Sequence, residues 1–202
     1  MENKTYYTTI EKKGMAEFRD RGSRFIGYAF PLGSTEQFKA ELELIKKEHP
    51  KATHHCFAYR IGLDGTIFRV SDDGEPSGTA GKPILGQIDS KQLTNLGIVV
   101  VRYFGGTMLG VPGLINAYKT TASLVLQTIP FVQKAIERNY QVHFDYTAMN
   151  DVMMVVKQCN CTVISQEVQL FCLLTIGVPL TREQEVLFRL KEIRNVEVNP
   201  VK

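Results

Sequence analysis

The sequence predicts an α+β protein of two domains, residues 1–132 and 133–202. Three observations carry that prediction. Strand-like runs with a period of two are mixed with helical stretches of period 3.6. The last roughly 65 residues follow the order βαββαβ, the ferredoxin-like arrangement. Pro130 and the polar stretch Gln133–Arg138 read as a boundary and lead-in between the two parts. At 202 residues and 44% apolar composition the chain can bury a sizeable core.

The elements follow in order. Tyr6–Ile10, Ala16–Asp20 and Ser23–Pro31 read as strands, with Gly14 and Gly22 at the turns. In the third, Phe25, Gly27 and Ala29 alternate with Ile26, Tyr28 and Phe30, so both faces expect cover. Ser34 is a good N-cap with Gln37 three residues on, as in a capping box. Phe38, Leu42 and Ile45 form the apolar stripe of that helix, which ends before Pro50. His54–Ile61 and Thr66–Ser71 read as a hairpin turned by Asp64-Gly65. Asp72–Gly81 is loop by composition, and Pro83 suits the first turn of a helix reaching about Gln92. A β-branched strand begins at Ile98 and leads into Arg102-Tyr103-Phe104 and a loop with Gly105, Gly106, Gly110 and Gly113. A helix from about Leu114 to Thr128 follows. Beyond the boundary, Tyr140–Tyr146, Cys161–Val168, Leu170–Val178 and Val196–Val201 read as strands. Met149–Gln158 and a helix capped by Thr181 and lined by Leu187, Leu190 and Ile193 lie between them.

Formal net charge is +3, distributed as +4 over residues 1–135 and −1 over 136–202. Such a balance excludes a strongly basic nucleic-acid footprint, while a mildly basic first part can still steer an anionic partner. The polar N-terminus carries no apolar leader, and no run of about 18 apolar residues spans a membrane, so a cytoplasmic protein is expected. Cys56, Cys159, Cys161 and Cys172 form no CxxC pair, and reduced thiols are expected. Neither a metal site nor a cofactor site is predicted.

Three constellations could carry chemistry. The glycine loop has neither GxGxxG nor Walker spacing, so a nucleotide site is weakly supported. Its glycines serve either a turn with positive φ and close backbone approach, or a surface facing phosphate or a partner. Arg102 would be the anion contact and Tyr103 the stacking surface. The acidic loop, with Asp72, Asp73 and Glu75, lacks the order of a calcium loop and reads as a solvated rigid turn. Lys82 and the N–H groups of Gly78–Gly81 could form a second anion nest. In His54-His55-Cys56, alternation places His54 and Cys56 on one face and His55 on the other. A Cys–His nucleophile and ordinary strand residues are both compatible with that spacing.

Asp72-Asp73-Gly74-Glu75-Pro76-Ser77-Gly78-Thr79-Ala80-Gly81-Lys82-Pro83 and Val101-Arg102-Tyr103-Phe104-Gly105-Gly106-Thr107 through Gly113-Leu114 resemble the signature of the YigZ/IMPACT family. Ser23-Arg24-Phe25-Ile26 and His54–Arg60 match its earlier blocks, so the resemblance spans roughly Thr5–Val125. It implies that the first domain shares its α+β fold with a small-subunit ribosomal protein domain and with domain four of elongation factor G. It implies likewise that the second is similar to the ferredoxin-like domains three and five of that factor. The eukaryotic relatives are translation regulators.

The expected function is therefore a non-enzymatic, translation-associated regulator that binds RNA, the ribosome or a translation factor through its first domain. Lys82, Arg102, Tyr103, Gly105, Gly106 and Gly110 would be the contact residues, beside a signature loop holding Asp72, Asp73, Glu75 and Ser77. The alternative is a hydrolase whose cleft lies between the acidic loop and the glycine loop, with Asp73, Glu75, His54 and Lys82 as candidate groups.

Overall fold

The computed structural model describes residues 4–63 and 65–201. The chain divides into two compact units, Tyr7–Lys134 and Ala135–Lys202 joined by the segment up to Tyr6.

The first unit contains strands β1 (Tyr6–Ile10), β2 (Gly14–Asp20), β3 (Ser23–Pro31), β4 (His54–Ile61), β5 (Ile67–Ser71), β6 (Leu96–Tyr103) and β7 (Phe131–Ala135). Its helices are α1 (Thr35–Glu48), α2 (Gly81–Ser90) and α3 (Gly110–Gln127). A five-stranded sheet runs in the order β2-β3-β6-β4-β5, with every neighbouring pair antiparallel. Both of its faces are covered. On one, Phe25, Ala29, Cys56, Ala58, Ile98 and Val100 meet Ile84 and Ile88 of α2 and Leu114 and Tyr118 of α3. On the other, Ile26, Phe30, Val99 and Val101 meet Phe38 and Ile45 of α1. Double cover explains why central β6 is a continuous β-branched run instead of an alternating one. It also bears out the reading of β3 as apolar on both sides.

Helix α1 starts where the sequence places it, and Ser34 Oγ accepts the Gln37 N–H at 3.3 Å. The return bond of the capping box is shifted by one residue, because Gln37 Oε1 accepts from Gly33 N at 2.7 Å. Several boundaries differ from expectation, among them the starts of β6 at Leu96 and of the strand Glu137–Asp145. Gly14 is the first residue of β2, and α3 begins at Gly110, four residues before Leu114. The stretch Gln133–Arg138, read from composition as lead-in, overlaps the start of the strand Glu137–Asp145 and the end of β7, which pairs with β1 in a separate two-stranded sheet. Its partner lies at the far end of the unit's sequence, so nothing local marks it as a strand. Asp64 of the expected β4–β5 turn lies outside the described residues.

The second unit holds β8 (Glu137–Asp145), α4 (Met149–Gln158), β9 (Thr162–Glu167), β10 (Phe171–Pro179), α5 (Glu183–Lys191) and β11 (Val196–Pro200). Its sheet order β11-β8-β10-β9 is fully antiparallel. Tyr140, Val142, Phe144, Leu174, Ile176 and Val178 form one layer of its core. Val152, Val155 and Val156 of α4 with Val186 and Leu190 of α5 form the other. This is the βαββαβ arrangement the sequence predicts. Thr181 does not cap α5: a 3-10 turn, Leu180–Arg182, intervenes, and no side chain caps the helix.

Candidate functional site

Strand pairing sets the site. His54 of β4 lies opposite Arg102 of β6, and Cys56 opposite Val100. Alternation therefore turns His54, Cys56 and Arg102 toward α2 and α3, and His55 and Tyr103 toward α1. Arg102 and Tyr103 do not share one surface. Tyr103 is bound on the α1 side, its hydroxyl 2.9 Å from His49 Nδ1. Arg102 lies in the opposite layer with its guanidinium between the Phe25 and Phe104 rings, 5.4 and 5.5 Å from their centroids.

The loop between β5 and α2 delivers a carboxylate to this guanidinium. Its fold is organised by Asp72, whose carboxylate accepts from Gly78 N (2.8 Å), Ala80 N (3.0 Å) and Gly81 N (2.9 Å). Burial opposes the charge on Asp72, but the three backbone donors, helped by Lys82, outweigh it and hold its carboxyl below the usual range. The nest predicted from Gly78–Gly81 therefore exists, and its occupant is the chain's own Asp72 rather than an external anion. Asp73 accepts from the His55 backbone N–H at 2.6 Å through Oδ2, tying the loop to β4.

Glu75 is consequently buried, in contrast to the solvated turn predicted from composition. Its Oε1 accepts from Arg102 Nη1 at 2.6 Å and from the Tyr118 hydroxyl at 2.8 Å. The Glu75 and Arg102 side chains are 3% and 6% exposed. His54 Nε2 lies 3.8 Å from the same oxygen, while His54 Nδ1 stands 2.7 Å from the Asp73 carbonyl. Arg102 Nη2 donates to Ser23 Oγ at 3.4 Å, which also accepts from Gly105 N at 3.2 Å. Cys56 Sγ donates to the Asp72 carbonyl at 3.0 Å and contacts the Tyr118 hydroxyl at 3.3 Å. Burial pushes the Cys56 thiol and the Tyr118 phenol far up, a setting that opposes a thiolate at Cys56. His55, on the other face, is pushed down by burial, with Asp73 opposing.

Above this pair lies a cleft of about 510 Å³ between the acidic loop and the glycine loop. Glu75 and Arg102 line its polar end; Phe104, Met108, Leu109 and Leu114 supply apolar walls. Phe104, Met108, Val111 and Ile115 are exposed beside it, Met108 by 84%. The glycines serve the backbone. A Cβ on Gly105 would fall 1.9 Å from the Gly22 carbonyl carbon, so Gly105 is a close-approach residue against the β2–β3 turn. Gly106 and Gly110 have φ of +86° and +69° and supply the left-handed bends that lead into α3. Lys82 and Ser77 are exposed and do not line the cleft. Tyr118 and Ser23 complete the site. Their hydroxyl roles are invisible in the sequence, where Tyr118 belongs to an apolar helical stripe and Ser23 begins a strand. Among the described residues, no group of three or more His, Cys, Asp or Glu is placed to hold a metal ion. Among them too, no helix is long and apolar enough to cross a membrane.

Comparison with known proteins places this site in a family. Residues 21–126 match the model of the Impact N-terminal domain. The chain is 34% identical over 172 residues to the IMPACT family member YigZ of Escherichia coli, covering 84% of each chain. It is 38% identical over 146 residues to the IMPACT family member YvyE of Bacillus subtilis, covering 72% of this chain and 67% of that one. A crystal structure described only as a hypothetical protein aligns over 98% of both chains, with a TM-score of 0.79 and 29% identity. The chain belongs to the IMPACT family.

Proposed function

We propose that this IMPACT-family chain is a non-enzymatic, translation-associated regulator of the cytoplasm. Residues 1–132 act as its IMPACT-type binding domain and residues 133–202 as a ferredoxin-like domain. The binding domain engages RNA, the ribosome or a translation factor through the cleft and the glycine loop. One observation carries the reading: the signature groups spend their hydrogen bonds on one another. Asp72 accepts three backbone N–H groups, Glu75 Oε1 accepts from both Arg102 and Tyr118, and the buried Cys56 thiol donates to the Asp72 carbonyl. Such an arrangement shapes a rigid surface rather than activating a nucleophile. Of the predicted contact residues, Lys82 faces solvent and is available to an anionic partner, while Arg102 acts from beneath by fixing the acidic loop.

The test is co-sedimentation of the chain with ribosomes and separated subunits across a salt series, with and without nuclease. The expected result is co-sedimentation at low salt; its absence there overturns the reading. A steep salt response assigns the contact to RNA phosphate, and a shallow one to protein.

One observation favours a second reading. Glu75, Arg102, Tyr118 and His54 converge at one end of a cleft between the two predicted loops, where a hydrolase site was also expected. Turnover of an ester, amide or phosphoester in a substrate screen, abolished by Glu75→Gln, would establish it.

A further inference from the structure

Helix α4 ends in a turn flanked by two thiols. The Cys161 N–H donates to the Val156 carbonyl at 2.9 Å and the Asn160 N–H to the Lys157 carbonyl at 3.2 Å, with Asn160 at φ +54°. These bonds around one left-handed residue make a Schellman C-cap. Across one residue the Cα atoms are at most about 7 Å apart, and a turn shortens the span into the roughly 4.4–6.8 Å that a disulfide bridges. In such a cap the residue at Cys161 packs back toward Val156, and Val156 and Cys159, three apart, share one helix face. Both cysteines accordingly join one core cluster, Cys159 buried within it and Cys161 at its partly exposed edge.

The two thiols differ in setting. Cys161 is within reach of solvent, but burial raises it to about 11, so its thiolate is scarce at neutral pH and its reactions are slow. Cys159 is sealed from solvent, yet its sulfur lies between an acceptor and a cation. It donates to Glu185 Oε1 at 3.7 Å and accepts from Arg189 Nη1 at 3.6 Å. The carboxylate can take the thiol proton and the guanidinium can hold the thiolate left behind. A sealed thiol so equipped attacks only a sulfur inside the fold, and Cys161 stands two residues away.

We propose that Cys159 and Cys161 form a thiol–disulfide exchange site that takes a small disulfide as oxidant, with Cys161 as the entry thiol and Cys159 as the resolving thiol. The Cys161 thiolate attacks one sulfur of the small disulfide. A mixed disulfide forms, and the other half leaves as a thiolate that takes up the proton Cys161 lost. The Cys159 thiolate then attacks the Cys161 sulfur. The Cys159–Cys161 bond forms, the mixed disulfide breaks, and the second small thiolate leaves with the proton Cys159 gave up. The two cysteines are oxidised by two electrons and the small disulfide is reduced to two thiols. Arg189 acts as a positioning residue for the second step.

The test is incubation of the native full chain with glutathione disulfide at pH 8, acid quenching, and alkylation of the remaining thiols in denaturant. Mass spectrometry then reads the intact chain and its peptic peptides. Wild type is expected to lose two hydrogens, retain no glutathione and carry alkylated Cys56 and Cys172. Cys159→Ser should retain glutathione on Cys161. Arg189→Gln should accumulate the same mixed disulfide severalfold over wild type, and Arg189→Lys should restore its release. A circular dichroism melt checks that each variant folds, and the wild-type result decides by itself where one does not. Glutathione retained on Cys161 of the wild type, a link to Cys56 or Cys172, or a native chain that stays reduced overturns the proposal.

Discussion

Arg102 Nη1 and Glu75 Oε1 stand 2.6 Å apart in the interior of the first unit, 27 positions apart in sequence, with the rest of the acidic loop, α2 and most of β6 between them. The pair fastens the loop that forms one wall of the cleft to the strand that forms its floor. The Tyr118 hydroxyl adds a tie to α3 through the same carboxylate oxygen.

Removing one partner leaves the other buried without its countercharge. Arg102→Met is expected to destabilise the protein by about 3–5 kcal/mol. The double variant Arg102→Met with Glu75→Gln should recover a large part of that loss, because no uncompensated charge remains. Urea unfolding of the two single variants and the double variant measures the coupling; strictly additive losses would show that the pair is not coupled.

Asp72 takes the place of a helix cap for α2, whose own N-cap Ala80 has no side-chain bond to give. Asp72→Ala is expected to cost about 0.5–2 kcal/mol at neutral pH. The folded-state carboxyl lies below its ordinary value of 3.8. Its contribution is therefore complete above that value and is lost as pH falls through the folded pKa. The stability difference between wild type and Asp72→Ala should hold constant from pH 7 to 5 and shrink below pH 4. A difference that grows on acidification contradicts the assignment.

The glycines are expected to separate by mechanism. Gly105→Ala must displace the β2–β3 turn, since its Cβ would lie 1.9 Å from a backbone carbon, at a cost of about 3 kcal/mol or more. Gly106→Ala, at φ +86° with open space around the Cβ, should cost about 1–2 kcal/mol from backbone strain alone. Gly86→Ala, in the middle of α2 with nothing within 4 Å, should stabilise by about 0.5–1 kcal/mol. Thermal melts of the three variants check the order.

Much of the scaffold is legible in local patterns. β3, β4 and α4 begin and end where periodicity places them, and βαββαβ follows from short, evenly spaced elements. What escapes is set by non-local pairing. β7 is invisible because its partner β1 lies at the other end of the unit. The first turn of α3 escapes because Gly110 and Gly113 read as loop until the packing of Gly113 on Leu109 is seen. The site divides in the same way. The proximity of the acidic loop and the glycine loop is anticipated, as is the structural use of the glycines. The burial of Glu75 is not, since three carboxylates in a glycine-rich loop look solvated until Arg102 supplies a countercharge. The separation of Arg102 from Tyr103 was available from strand alternation, the rule that correctly divides His54 from His55.

Thiol reactivity tests the inertness of the Cys56 group. Cys56 is fully buried with its pKa pushed far up, whereas Cys161 is partly exposed and raised by burial only to about 11. Iodoacetamide at pH 8 followed by mass spectrometry should label Cys161 slowly and leave Cys56 unmodified in the native protein. Rapid labelling of Cys56 would restore the nucleophile reading.

The binding of a translation component by the first unit, through the cleft and glycine loop, is a proposal with a direct readout. Hydrogen exchange of the chain with and without ribosomes, read by mass spectrometry, tests it most directly. The expected result is slowed exchange in peptides covering residues 104–114, with β10 unchanged. Ribosome-bound chain with unaltered exchange across 104–114 would contradict it.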